Sequence, residues 1–209
     1  MQASEFLNLM TDLMNKGSIN KTGLFFGSFN PIHQGHLIIA NYMVEYTDIT
    51  QVWFIVSPHN PLKEKATLLA DHHRLAMAII AVEDDPRFRA SNIEFHIPQP
   101  SYTIDTLAYL SEKYSDKEFV LICGSDNLPS FSKWRNYEEL LNRYHLYIYP
   151  RAETKPSPFD DHPHVHFTQA PQIEISSSFI RQGIKEGKNL SHFLPDKVWK
   201  YITEMHFYE

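Results

Sequence analysis

The sequence predicts an α/β fold, a doubly wound parallel sheet flanked by helices. Three observations carry that reading. Segments of strand character alternate with segments of helical spacing along the chain. Two strand segments, QVWFIV at 51–56 and FVLIC at 119–123, are apolar on both faces, as in a sheet covered by helices on each side. The 209 residues are one ordinary domain's length and suffice for a sizeable core.

The elements follow in order. Phe6, Leu7, Leu9, Met10, Leu13 and Met14 recur at helical spacing and Gly17 is a stop signal, so residues 1–20 are expected to form an N-terminal helical extension before a single domain at 21–209. Residues 22–26 read as a short strand entering a turn-rich loop at 27–34. Residues 36–46 are apolar nearly all round, which predicts a buried helix. The β-branched and aromatic run 51–56 is a buried strand, and 58–65 is a loop. Residues 70–82 are helical in pattern. A strand lies within 88–97 and is ended by Pro98 and Pro100. Residues 103–114 are helical, and 119–123 form a strand running into Gly124. A helix at 137–142 precedes a strand at 145–149, and the Pro-rich polar stretch 152–164 is a surface loop. A last short strand at 165–167 and helices at 179–186 and 195–205 complete the pattern.

In a parallel sheet ligands bind beyond the carboxyl ends of the strands. The loops that start at Gly27, Ser57, Gly124 and Pro150 are therefore expected on one edge. Composition narrows the ligand. With 19 Lys+Arg against 25 Asp+Glu, the net charge of −6 excludes a generic nucleic-acid footprint but not a local basic pocket. One cysteine excludes an internal disulfide framework and a multi-cysteine metal site. No run of about 18 apolar residues predicts a membrane span. The N-terminus lacks the basic start and apolar core of a secretory signal, so the expected location is cytoplasmic. Seven glycines are about half the average usage of roughly 7%. Those present are expected where backbone geometry demands them or where a ligand approaches.

The first loop reads GSFNPIHQGH over residues 27–36. A strand enters a turn and then a helix, whose first turn supplies free N–H donors and the positive end of a dipole. That makes an anion site, most naturally for phosphate. His33 and His36, three residues apart, fall on one helix face and would add hydrogen bonds or positive charge to phosphate oxygens. Gly35 leaves no side chain between them. No P-loop lysine is present. Late in the chain, Ser176, Ser177 and Ser178 precede a helix start, a pattern that serves as an N-cap. Arg181 lies one turn on, where a capping box would hold Glu or Gln. A cation at that end opposes the dipole and is better explained by an anionic ligand.

Other positions admit two readings. Lys63 meets a phosphate or is solvated, Asn60 and His59 offer hydrogen bonds to a sugar or base, and Arg74 faces the site or Asp71. Ser101 or Thr103 caps a helix. Asp126 reads as a helix cap and Trp134 as core packing. His162, His164 and His166 alternate as if to line one strand face with metal ligands, but Pro163 interrupts them, and no metal site is assigned. Cys123 reads as a buried structural thiol.

The first loop resembles the H-x-G-H nucleotidylyltransferase superfamily, and its spelling is similar to the nicotinate-mononucleotide adenylyltransferase branch. ISSSFIR at 175–181 is similar to that family's I-S-S-(T/S)-x-I-R segment, SYTIDT at 101–106 to its S-Y-T-x-D-T, and ICGSD at 122–126 to its I-x-G-x-D. One departure is Phe26, where the branch has a second glycine. The resemblance covers residues 22 to about 204 and implies a Rossmann-like sheet and adenylyl transfer from ATP to nicotinate mononucleotide, forming deamido-NAD and pyrophosphate. It implies catalytic roles for His33, His36 and Arg181. It implies ATP binding by Gly27, Ser28, Phe29, Gly35, Gly124, Asp126, Ser177 and Ser178 as well. Asn60, Lys63, Thr103, Trp134 and Arg151 would contact the acceptor, with Trp134 stacked on the pyridine ring. Mg²⁺ would enter on the ATP phosphates. The partners are then ATP and a pyridine mononucleotide, with no nucleic-acid polymer and no membrane, and a homo-oligomer stays open. Nicotinamide mononucleotide or phosphopantetheine as acceptor, and a non-catalytic nucleotide sensor on the same fold, are the alternatives.

Overall fold

In a computed structural model of the chain, residues 20–58, 68–152 and 155–209 are described. The expected N-terminal helix at 4–15, Asn60 and Lys63 lie outside them. Six strands, β1 (Asn20–Gly27), β2 (Gln51–Val56), β3 (Phe88–Ser91), β4 (Lys117–Gly124), β5 (Leu146–Tyr149) and β6 (Val165–Phe167), form one sheet in the order β3-β2-β1-β4-β5-β6. Every neighbouring pair is parallel. The helices are α1 (Gln34–Tyr46), α2 (Asp71–Val82), α3 (Thr103–Lys113), α4 (Tyr137–Arg143), α5 (Ser177–Lys185) and α6 (Asp196–Glu204). This is the doubly wound, Rossmann-like α/β arrangement. Strand order reverses between β1 and β4, which opens a crevice at their carboxyl ends.

The two-residue period of a strand explains the runs that are apolar throughout. Val52, Phe54 and Val56 enter a core shared with α1, α2, α5 and α6, whereas Trp53 and Ile55 enter a second core with α3 and α4. Phe25 and Leu24 on β1, and Val120 and Leu121 on β4, divide in the same way. Gly23 lies within β1, where a side chain would collide with Ile122 on β4.

Three stretches differ from expectation. Residues 88–97 pair over Phe88–Ser91 alone and then coil into the 3₁₀ turn Ile93–Phe95. Residues 125–133, which carry Pro129 and polar turn-formers, form a 3₁₀ run where no element was expected. Helix α5 begins at Ser177, two residues early, because the Ser176 hydroxyl accepts a hydrogen bond from the Phe179 N–H at 3.1 Å. Such a cap contributes about 1 kcal/mol.

Candidate functional site

A cleft of about 560 Å³ opens at the carboxyl edge of the sheet. Gly27 after β1, Ser57 after β2, Asp126 after β4 and Arg151 after β5 all line it, as the topology requires. Residues from the N-terminal ends of two helices, α1 and α5, face it as well.

His33 is the N-cap of α1, and its backbone N–H donates to His36 Nδ1 at 3.1 Å. That bond leaves the proton of neutral His36 on Nε2. The two imidazoles stack with centroids 3.7 Å apart and planes at 26°. Phe25 and Phe29 close on the His36 ring edge-on. His33 is 4% exposed, and its Nδ1 is buried with no hydrogen-bond partner in the protein. Burial, with the positive Arg151 nearby, lowers His33 to about 4. Burial, His33 and Arg151 together hold His36 well below the ordinary imidazole range. Without ligand both rings are therefore neutral at physiological pH. They meet a ligand as hydrogen-bonding groups, and the positive charge of the site comes from arginines.

Arg181 and Arg151 supply that charge. Arg181 Nη1 donates to the Asn30 carbonyl at 2.8 Å and Nη2 to the Ser178 hydroxyl at 3.2 Å, which ties α5 to the first loop. The Ser177 hydroxyl donates to the Pro31 carbonyl at 2.9 Å and adds a second tie. The Arg151 guanidinium lies 5.2 Å from the Tyr149 ring centre, and its backbone N–H donates to Ser125 Oγ at 2.9 Å. The loop that carries the histidines is itself strained. Phe29, 1% exposed, holds φ at 44°, a region that side chains other than glycine seldom occupy and that recurs at ligand clamps.

Arg74 does not line the cleft but builds its wall. It is fully buried. Its guanidinium donates to the carbonyls of Ser28 at 2.6 Å, Ser57 at 2.8 Å, Pro58 at 2.7 Å and Leu69 at 3.0 Å, and to Asp71 Oδ1 at 2.5 Å. One cation thus holds the loops after β1 and β2 together. Of the two expected partners, Arg74 meets Asp71 and reaches the site only through the loops that it ties together.

The cleft gathers most of the expected residues. Gly27, Ser28, Phe29, His33, His36, Asp126, Trp134, Arg151, Ser177, Ser178 and Arg181 line it. Trp134 combines both of its readings, since it also packs against Phe131 with centroids 5.1 Å apart. Thr103 is the first residue of α3 and is not among the residues lining the cleft. The glycines have close neighbours within the protein. A side chain at Gly35 would come within 3.0 Å of His33 Nδ1, at Gly27 within 2.9 Å of the Phe29 ring, and at Gly124 onto Asp126. Each of the three therefore also makes room for one of the protein's own side chains. Asn30 and Tyr149, which also line the cleft, were not singled out by the sequence. Asn30 carried a signal, its place inside the first loop; Tyr149 ends a strand of continuous hydrophobic character and carried none.

Among the described residues no group of three or more His, Cys, Asp or Glu side chains is placed to hold a metal ion. His164 Nδ1 is engaged by the Leu141 carbonyl at 2.7 Å, and His166 Nε2 by His145 Nδ1 at 2.8 Å. No helix among those residues is long and apolar enough to cross a membrane.

Comparison with known proteins agrees with this geometry. Residues 24–183 match the model of the family described as cytidylyltransferase-like. A protein of Flavobacterium johnsoniae named "Probable nicotinate-nucleotide adenylyltransferase" is 53% identical over 191 residues, covering 90% of this chain and 99% of its own. A protein of the same name from Bacteroides thetaiotaomicron is 46% identical over 184 residues, covering 88% of this chain and 91% of its own. The solved Plasmodium falciparum nicotinic acid mononucleotide adenylyltransferase complexed with NaAD superposes with a TM-score of 0.75 at 20% identity, over 90% of this chain and 97% of that one, and so shares the fold.

Proposed function

The chain belongs to the cytidylyltransferase-like family, among its nicotinate-nucleotide adenylyltransferases, and from that premise we propose how its cleft works. The protein is a nucleotidyltransferase that moves AMP from ATP to nicotinate mononucleotide and releases pyrophosphate, a step of NAD biosynthesis. One observation carries the site assignment. The N-termini of α1 and α5 converge on one cleft, with the stacked His33 and His36 on one side and Ser177, Ser178 and Arg181 on the other.

That arrangement suits in-line displacement at phosphorus. The acceptor phosphate is already an anion at neutral pH and needs no strong base. A new P–O bond forms to the α-phosphorus as the bond to the β-phosphate oxygen breaks, and the electron pair leaves with pyrophosphate. Catalysis is then positioning plus stabilisation of charge on phosphate oxygens. His36 donates from Nε2, and His33, stacked against it, lines the cleft beside it. Arg181, with Ser177 and Ser178 at the start of α5, receives the β- and γ-phosphates. Gly27, Ser28 and Phe29 form the backbone bed of the nucleotide, with Gly35 and Gly124 shaping it from behind. Asp126 accepts from the nucleoside. Trp134 and Arg151 receive the acceptor, with Asn60 and Lys63 as further contacts.

Asp126 is the single carboxylate among the described residues lining the cleft, so the side chains offer no metal cage. They fit an ion whose ligands are the phosphate oxygens themselves. Mg²⁺ carried in by ATP would neutralise part of the phosphate charge. The free buried thiol of Cys123 suits a reducing, cytoplasmic setting.

Purified protein with ATP, Mg²⁺ and nicotinate mononucleotide should release pyrophosphate and form the deamido dinucleotide. Nicotinamide mononucleotide and phosphopantetheine, run in parallel, should give lower kcat/KM, since only differential transition-state binding confers specificity. No turnover with the nicotinate substrate, or a preference for either competitor, would sink the assignment.

A further inference from the structure

The last four residues of the chain reach the nucleotide loop. His206 and Tyr208 both hold positive φ, 53° and 70°, which side chains other than glycine adopt only when their surroundings impose it. The surroundings are identifiable. Phe207 lies edge-on to His73 at 4.7 Å, and its N–H donates to the Ile202 carbonyl at 3.1 Å. The reward for this kinked path is one hydrogen bond: the Tyr208 hydroxyl donates to Asn30 Oδ1 at 2.8 Å. Asn30 is 3% exposed, and its side chain also accepts from the Leu69 N–H at 3.3 Å. The same residue's carbonyl accepts from Arg181 at 2.8 Å. A continuous series therefore runs from the C-terminal tail, through Asn30, to the guanidinium that faces the cleft.

We propose that Tyr208 is a positioning residue for ATP: by holding Asn30 it sets the carbonyl on which Arg181 is aimed. This rests on the adenylyl-transfer reading, in which Arg181 receives the triphosphate. Tyr208 itself does not line the cleft. Its effect passes to the nucleotide side of the cleft and leaves the acceptor side, at Trp134 and Arg151, alone. A tyrosine that merely packed the tail would instead affect both substrates through general loosening of the fold.

Tyr208→Phe keeps the aromatic body and deletes only the donor. Four quantities are measured on wild type and variant: Tm, the Kd of ATP by titration without acceptor, and the separate KM values of ATP and nicotinate mononucleotide under turnover. We expect the Kd and KM of ATP to rise about fivefold with the acceptor KM nearly unchanged, alongside a small fall in Tm from the loss of one hydrogen bond to a buried partner. An unchanged ATP Kd in a folded variant overturns the proposal. So does a parallel rise in both KM values, the mark of a packing role. The ATP titration needs no acceptor, so it decides the role of Tyr208 even if wild-type protein fails to turn over nicotinate mononucleotide, a result that would count against the acceptor reading instead.

Discussion

The backbone N–H of His33 donates to Nδ1 of His36, and the two rings stack 3.7 Å apart. One residue thereby fixes both the orientation and the tautomer of the other before any nucleotide arrives. The pair is a preorganised neutral donor set, and the consequences can be measured.

Acid should destabilise the protein through this pair. His33 is held at about 4 against 6.5 in the unfolded chain. Between those values the unfolded chain takes up a proton that the folded chain refuses, so stability falls as pH falls through that window and is insensitive to His33 above it. His73, His145 and His166 are also lowered and add to the slope. Melting curves from pH 4 to 7.5 on wild type and His33→Asn isolate the His33 share. The variant should lose less Tm on acidification, and equal slopes would refute the neutral assignment.

Substitution at His36 should separate folding from catalysis. His36→Asn can still accept the His33 N–H but has nothing at the position of Nε2. Its kcat should drop about 100-fold to 1,000-fold, the cost of losing a donor to developing phosphate charge. Its Tm should stay close to wild type. His36→Ala should lose kcat comparably and also about 1 kcal/mol of stability, because the cap bond goes with the ring. Paired urea titrations and steady-state kinetics test this; wild-type kcat in the Asn variant would remove His36 from the chemistry.

Arg74→Lys looks conservative and should not be. Lysine cannot reproduce a planar fork that serves four carbonyls and a carboxylate at once. Buried carbonyls left without donors should cost about 2–4 kcal/mol. The ATP KM should rise too, since Ser28 and Ser57 line the cleft. A Tm within a degree or two of wild type would show that the loops hold their own shape.

The layout of the sheet was legible because strand and helix periods dominate local sequence. Residues 51–56 and 165–167 pair over the stretch their composition suggests. The stretch 125–133 was not, because Pro129 among polar residues reads as a loop whether or not it coils into 3₁₀ turns. The shared face of His33 and His36 and the serine cap before α5 were legible because helix-terminus chemistry is local. Their charge was not, since neutrality comes from burial and from Arg151, distant in sequence. The packing neighbours of Gly27, Gly35 and Gly124 were hidden for the same reason: the atoms beside them, on Phe29, His33 and Asp126, take up those places only in three dimensions. Arg74 bonds mainly to carbonyls, which every residue has, so its partners leave no trace in composition.

The position of the cleft between β1 and β4 also bears on how the protein is made. Asn20 pairs with Lys117, and the register continues to Phe25 against Ile122. Closing a loop of about 100 residues carries an entropic cost that must be met before those contacts stabilise anything, so the crevice forms late in folding. Until β4 has emerged from the ribosome, β1 shows an unpaired apolar edge through Leu24, Phe25 and Phe26. The half of the molecule that binds phosphate is thus the half most open to misassembly during synthesis.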